Sequence, residues 1–272
     1  MTPLCNLHTH SIFCDGRDKP EDVVLAAIGK GFSSLGFSGH SPTSNALDEG
    51  CMSGDTVAEY KSEIMRLKET YSDRLELALG IEQDSFTTVS RAGFDYVIGS
   101  VHQIYRDGAY VAVDWSYERL CDGAERLFGG DFMGLTEAYY TELSQVVRKT
   151  ECDIIGHFDV ITKYNNEYGY IDEGSPKYRE MMLSCADELL KTDAIFEVNT
   201  GGMARGRRTV PYLPAHVVKR ICEKGGRFIL GSDAHKLEHL DFGFDDACEY
   251  LRSLGVSELC IWKNGGFGAV KL

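Results

Sequence analysis

The chain has 272 residues, of which 43% are hydrophobic and 26% are charged, and its formal net charge at pH 7 is −14. This composition is typical of a globular protein, and the acidic charge argues against broad nucleic-acid binding, which needs a basic surface. No stretch reaches the roughly 20 apolar residues that span a bilayer, and the N-terminus lacks a signal-peptide pattern. We therefore expect a cytoplasmic protein with no membrane segment.

Short apolar runs recur along the chain, and each is typical of a strand buried in a parallel sheet. The predicted strands are, in chain order, 4–7, 34–38, 75–81, 96–101, 153–156, 194–198, 228–232 and 258–262. Amphipathic segments with helix signals lie between them, at 20–31, 57–71, 132–149, 177–190 and 215–223. This alternation predicts one (β/α) barrel over residues 1–272, with a doubly wound open sheet as the competing arrangement.

Histidines and carboxylates follow the first seven predicted strands, at the point where each strand ends. They are His8, His10, His40, Glu82, His102, His157, Glu197, Asp233 and His235. Because barrel active sites lie at the carboxyl ends of the strands, we expect these side chains to converge on one mouth. The members of the pairs 8/10 and 233/235 are two residues apart, so on an extended segment both point to the same side.

A metal cluster explains this pattern better than separate structural roles do. A lone histidine after a strand is most often a cap or a hydrogen-bonded core residue, but six of the eight histidines occupy such positions. Packed together without a cation, the imidazoles and carboxylates would repel one another or lack partners. Zinc, iron and manganese accept both ligand types. His216 and His239 lie outside the pattern, and we expect them at the surface.

Seven segments of the chain carry a resemblance to a known family. They are HTHSIFCDG (8–16), GFSGHSP (36–42), LGIEQD (79–84), GSVH (99–102), IGHFDVITKYN (155–165), EVNTGGMARG (197–206) and GSDAH (231–235). On these segments the chain resembles the PHP (polymerase and histidinol phosphatase) superfamily, and within it the PHP-type histidinol-phosphate phosphatases. The segments occur in the family's order and span nearly the whole chain.

The resemblance implies a distorted seven-stranded TIM-like (β/α) barrel, the PHP fold, with two or three divalent ions of zinc, iron or manganese at the strand ends. By position, one metal would be held by His8, His10, Glu82 and Asp233. A second would be held by Glu82, acting as a bridge, with His102 and His157. A third would be held by Asp15, His40 and His235, although many family members have a histidine where this chain has Asp15.

Basic residues match the family's phosphate-binding positions. Arg205 and Lys163 are these residues, and Lys163 stands where related enzymes have arginine, so it offers a point charge rather than a fork. Glu197 is expected to orient a metal ligand rather than to bind metal directly. Asp159 is expected either to do the same or to cap a helix. Asp84 is the candidate for contacting the imidazole or the amine of the substrate.

The expected reaction is hydrolysis of a phosphate monoester, with L-histidinol phosphate giving L-histidinol and phosphate in histidine biosynthesis. The expected catalytic residues are Glu82, Asp233 and His235, and either of the last two could protonate the leaving alcohol. The alternatives are a PHP phosphodiesterase or nucleotide phosphatase, and a non-catalytic, metal-stabilised PHP module. The expected partner is a small-molecule monoester, without nucleic acid or membrane, for a monomer or small homo-oligomer.

Overall fold

The computed structural model, which describes residues 4–45 and 49–272, contains a mostly parallel nine-stranded sheet. In chain order the strands are β1 Cys5–Asn6, β2 Ser34–Phe37, β3 Glu76–Asp84, β4 Tyr96–Ser100, β5 Gln103–Arg106, β6 Ala109–Ala112, β7 Ile154–Ile155, β8 Ile195–Asn199, β9 Phe228–Gly231, β10 Glu258–Lys263 and β11 Gly266–Lys271. The sheet order is β1-β2-β3-β4-β7-β8-β9-β10-β11, and β10–β11 is its antiparallel pair. Strands β5 and β6 form a separate antiparallel hairpin.

Helices connect most of the parallel strands. They are α1 Pro20–Gly29, α2 Gly54–Thr70, α3 Tyr117–Phe128, α4 Phe132–Leu143, α5 Val146–Thr150, α6 Asn165–Tyr168, α7 Pro176–Leu189, α8 Gly201–Ala204, α9 Ala215–Glu223 and α10 Phe244–Ser253. Two 3₁₀ turns, Val160–Thr162 and Leu237–His239, lie in loops. Among the described residues, no helix is both long enough and apolar enough to cross a membrane.

The predicted α/β architecture is confirmed, and each of the eight predicted strands overlaps an observed one. The helix predicted at 132–149 is wrong in its length, because the chain breaks at Ser144 and forms two helices, α4 and α5. The hairpin of β5 and β6, the final strand β11, and helices α3 and α10 were not predicted.

Both faces of the sheet are buried, as the continuous apolar runs predict. Along β3, Leu77 and Leu79 pack with the helices, whereas Ala78 joins a second core on the other face. The large Tyr96 ring of β4 lies in that second core, and it requires glycine on β3 and on β2, the strand beyond it. A Cβ atom at Gly80 would lie 2.1 Å from the ring Cζ, and one at Gly36 would lie 2.3 Å from the hydroxyl oxygen.

Hydrogen bonds join the chain after β1 to the chain after β9, although these strands are not neighbours in the sheet order. The His10 amide donates to the Ala234 carbonyl at 2.8 Å, and the Ala234 amide donates to the His8 carbonyl at 3.1 Å. The Asn6 side-chain amide also donates to the Ser232 hydroxyl at 2.6 Å. These bonds bring the residues that follow the first and seventh parallel strands side by side.

Candidate metal centre

The residues that follow the parallel strands meet at one end of the sheet, as the strand directions require. Five histidines surround the carboxylate of Glu82, which is buried at the end of β3. Its Oε2 atom lies 3.1 Å from His40 Nδ1, and its Oε1 atom lies 3.0 Å from His157 Nε2. The other nitrogen-to-oxygen distances around Glu82 are 3.2 Å for His8, 3.3 Å for His102 and 3.5 Å for His10.

Asp233 lies on the same side of the cluster as the first histidine pair. Its Oδ1 atom is 3.3 Å from His10 Nε2 and 3.8 Å from His8 Nε2. The sequence predicts an extended segment after β9. This prediction is wrong, because Asp233 has a φ of 49°. The side chains of Asp233 and His235 nevertheless lie close together, with 3.4 Å between Asp233 Oδ1 and His235 Nδ1.

A second group of potential ligands surrounds Asp15, which lies in the loop after β1. Its Oδ2 atom is 3.1 Å from His235 Nε2, and its Oδ1 atom is 3.6 Å from His40 Nε2. His10 Nδ1 is also close, at 3.7 Å from Oδ1. The structure thus brings together the three residues predicted for a third metal and adds His10 to them.

Several atoms of the cluster lack hydrogen bonds. His8 Nε2, His10 Nε2 and Glu82 Oε2 are buried, and none has a hydrogen-bond partner of acceptable geometry among the described residues. Buried polar atoms without partners are costly, and a divalent cation among them would remove that cost. Four sets of ligand atoms lie within 4.8 Å of one another: His8–His10–Glu82, His8–His157–Asp233, His40–Glu82–His102 and His10–Asp15–His40–His235. These residues therefore fit metals with nitrogen and oxygen ligands.

The charges of the cluster depend strongly on one another. Burial alone would lower the pKa of His8, but Glu197 and Glu82 raise it well above the usual value. Burial alone would raise the pKa of Glu82, but the imidazoles, led by His8 and His40, lower it well below the usual value. Burial and the neighbouring imidazoles lower the pKa of His10 to about 3. Because metals bind neutral imidazole and ionised carboxylate, metal binding here would displace protons.

Glu197 of β8 lies behind the cluster. Its Oε1 atom is 2.6 Å from His8 Nδ1, which is the ring nitrogen on the side away from Glu82. Its Oε2 atom accepts the backbone N–H of His157 at 2.8 Å and the side-chain amide of Asn199 at 2.9 Å. This is the arrangement by which a carboxylate fixes the orientation of a metal-binding imidazole.

Asp159 is buried, and it does not cap the turn that follows it. Its Oδ1 atom accepts the backbone N–H of Leu213 at 2.7 Å, and its Oδ2 atom is buried without a partner among the described residues. The helix-capping interpretation is therefore wrong, because the carboxylate bonds to a distant loop instead of the Val160–Thr162 turn. Burial raises the pKa of Asp159 to about 6.

A cavity of about 300 Å³ opens beside the cluster, and both predicted phosphate-binding residues line it. The Arg205 guanidinium donates to Asp233 Oδ2 at 2.7 Å and 3.2 Å. The Lys163 ammonium donates to the Asp114 carbonyl oxygen at 2.6 Å and lies 3.3 Å from Asp114 Oδ2. Arg205 thus contacts a member of the cluster, whereas Lys163 contacts Asp114 in the wall of the cavity, and in this structure each cation meets a carboxylate of the protein.

The two arginines next to Arg205 lie in different environments. Arg207 is exposed and pairs with Glu167, as we expect of a surface residue. Arg208 is buried and forms two bonds to Glu173, at 2.9 Å and 3.2 Å. Neither is among the residues that line the cavity.

Asp84 also lines the cavity, and its oxygens hold nearby backbone. Oδ2 accepts the N–H of His102 at 2.7 Å, and Oδ1 accepts the N–H of Phe86 at 2.9 Å. Ser100 was not predicted as a site residue, although it lies in the GSVH segment before His102, and its hydroxyl donates to Glu82 Oε1 at 2.7 Å. His216 and His239 are partly exposed and lie outside the cluster.

Comparison with known proteins agrees with this geometry. The PHP domain model matches residues 6–201. A Deinococcus radiodurans protein named "Probable histidinol-phosphatase" is 30% identical in an alignment of length 268 that covers 94% of this chain and 95% of that protein. A Listeria monocytogenes crystal structure has the same fold, with a TM-score of 0.78 at 22% identity over 89% of this chain and 99% of the other.

A second solved structure is that of a Lactococcus lactis histidinol phosphate phosphatase. It matches with a TM-score of 0.71 at 20% identity, over 97% of this chain and 98% of the other. That enzyme was crystallised with zinc, L-histidinol and phosphate. At this identity the match supports a common fold.

Proposed function

The chain belongs to the PHP domain family, and we propose that it is a phosphatase that converts L-histidinol phosphate and water into L-histidinol and phosphate. The observation that carries this proposal is that the metal-ligand cluster, Lys163 and Arg205 line the same cavity. The relative named for this activity matches nearly end to end, and the Lactococcus enzyme of the same fold binds both products. The predicted family is confirmed by the PHP domain match, and the proposed reaction is the one for which the Deinococcus relative is named.

We further propose the finer arrangement that the sequence implies. The bonds between the ends of β1 and β9 would close the sheet into a distorted (β/α)7 barrel, with the cluster at its mouth. Two or three ions of zinc, iron or manganese would be held by His8, His10, Asp15, His40, Glu82, His102, His157, Asp233 and His235. When bound, such ions polarise phosphate oxygens and lower the pKa of water.

Lys163 and Arg205 would bind the phosphate group. Arginine carries five N–H donors, and Asp233 occupies only part of this set, so donors remain for an anion in the cavity. Lys163 would add a point charge with rotatable donors. Asp233 and His235 remain the candidates for protonating the leaving alcohol, and Asp84 is a candidate for contacting the imidazole or the amine.

Replacing Arg205 with Met is expected to lower kcat/KM for L-histidinol phosphate by about 10- to 150-fold, because a charge-assisted hydrogen bond contributes roughly 1.5–3 kcal/mol. Most of the loss should appear in KM if Arg205 holds phosphate in both the ground and the transition state. Steady-state kinetics and elemental analysis would check this, since metal content should not change. Arg207→Met is the matched control, because Arg207 is exposed and pairs with Glu167. If Arg205→Met has the kinetic constants of the wild type, Arg205 does not bind the phosphate.

Substrate preference tests the proposed function. The metal-loaded protein is expected to hydrolyse L-histidinol phosphate with kcat/KM at least about 100-fold above that for a dinucleotide, or about 2.7 kcal/mol of differential transition-state binding. Phosphate and nucleotide release would be measured on the same preparation. A preference for the dinucleotide would instead identify a PHP phosphodiesterase.

We propose a single PHP domain that acts in the cytoplasm as a monomer or small homo-oligomer. The net charge of −14 disfavours a nucleic-acid partner, so the partner would be the small-molecule monoester itself.

A further inference from the structure

Asp114 is a cavity residue that the sequence analysis did not identify. It lies two residues after β6, and its side chain is 22% exposed. Besides the contact with Lys163, its carbonyl oxygen accepts the Tyr164 hydroxyl at 2.8 Å, and the same hydroxyl bonds to the Trp115 carbonyl at 2.8 Å. These bonds fix the backbone at Asp114, and the carboxylate itself contacts Lys163.

The Asp114 carboxylate is charged and has an oxygen to spare. Burial alone would raise its pKa, but Lys163, followed by His102, lowers it below the usual value. Oδ2 meets Lys163, and no hydrogen bond from the part of the chain that the structure describes reaches Oδ1. An ionised oxygen in the wall of a cavity is an acceptor for a cationic ligand.

The other described carboxylates that line this cavity are engaged elsewhere or lie in solvent. Three belong to the metal cluster: Asp15, Glu82 and Asp233. Asp84 holds the backbone amides of His102 and Phe86. Glu49 has a side chain that is 67% exposed and lies 3.6 Å from Arg119. This leaves Asp114 as the half-buried carboxylate best placed to receive a positive group.

We infer that Asp114 binds the ammonium group of the substrate and so determines specificity for amino-substituted phosphate monoesters. This inference rests on the proposed function. In L-histidinol phosphate, two carbon atoms separate the ammonium nitrogen from the ester oxygen. A phosphate held by Lys163 therefore places the ammonium near the carboxylate that also holds Lys163. For this reason we assign the ammonium to Asp114 and not to Asp84, whose two oxygens already accept backbone N–H groups.

The test compares two substrates that differ only in the ammonium group. They are L-histidinol phosphate and its desamino analogue, 3-(imidazol-4-yl)propyl phosphate. The wild-type protein should favour the first by kcat/KM, and Asp114→Asn should reduce that preference by about 10- to 150-fold, the range for a charge-assisted hydrogen bond. Asp107→Asn is the matched control in the preceding hairpin turn, where the Asp107 side chain is 77% exposed, and it should keep the wild-type preference.

The outcomes separate this inference from the proposed function. If Asp114→Asn lowers kcat/KM for both substrates equally, Asp114 acts only by positioning Lys163, and the inference is overturned. If the wild-type protein hydrolyses neither substrate, the proposed function fails and the inference fails with it. Metal content and Tm would verify that Asp114→Asn is folded. Should it not fold, Asp114→Ser gives the same comparison and is expected to lose the same preference.

Discussion

Replacing Glu82 with Gln is expected to lower kcat for phosphate release by at least about 1000-fold, which corresponds to about 4 kcal/mol of transition-state stabilisation. Gln has the same size, but it lacks the charge and presents an NH₂ group in place of one oxygen. Both Glu82 oxygens lie within 3.3 Å of histidine nitrogens on opposite parts of the cluster, so one change affects more than one metal position. Steady-state kinetics and elemental analysis on the same sample would measure the loss of turnover and of bound metal.

The matched control is Glu137→Gln on α4, where Glu137 has a side chain that is 59% exposed and lies 3.3 Å from Lys177. Kinetic constants and Tm close to those of the wild type are expected, because surface ion pairs contribute little. A small effect of Glu82→Gln on kcat with unchanged metal content would show that this cluster is not the catalytic centre.

The convergence of the cluster could be predicted because it follows from strand direction. The strands that precede His8, Glu82 and Asp233 are short apolar runs, so their ends are visible in the sequence as the point where polar residues begin. Parallel strands place those ends at one edge, whatever the length of chain between them. The sequence could not show that His10 faces both Asp233 and Asp15, because this depends on the rotation of one imidazole ring.

Two hairpins were missed although their turns have a clear signal. Asp107-Gly108 joins β5 to β6 with φ values of 49° and 83°, and Asn264-Gly265 joins β10 to β11 with values of 54° and 73°. Asp-Gly and Asn-Gly pairs are favoured in two-residue turns because both positions need positive φ. These hairpins lack the continuous apolar runs of buried parallel strands, because their strands are antiparallel and partly exposed.

The ion pairs around the cavity could not be predicted from sequence. Lys163 and Asp114 are separated by 49 residues, and Arg205 and Asp233 by 28, and each partner lies in a loop. No periodic pattern relates residues on separate loops. For this reason the sequence could indicate which residues are basic at the mouth, but not which carboxylates hold them.

Removing the metals is expected to abolish turnover and to destabilise the fold. A ligand present at about 1000 times its Kd stabilises the folded state by about 4 kcal/mol, which for a chain of this size corresponds to a fall in Tm of about 8 °C or more on removal. The physical reason is a group of buried atoms without hydrogen-bond partners: His8 Nε2, His10 Nε2 and Glu82 Oε2. Without a metal ion these atoms have nothing to bind, and that lowers the free energy of unfolding. Thermal unfolding before and after chelation would measure the change.

The most direct test of a metal-dependent histidinol phosphatase is phosphate release from L-histidinol phosphate, followed on one preparation through chelation and restoration. We expect turnover in the purified protein, none after the metals are stripped, and recovery when zinc, manganese or iron is returned. Elemental analysis at each stage should give two or three equivalents per chain when the protein is active. Full turnover by a sample shown to be free of metal would contradict the account.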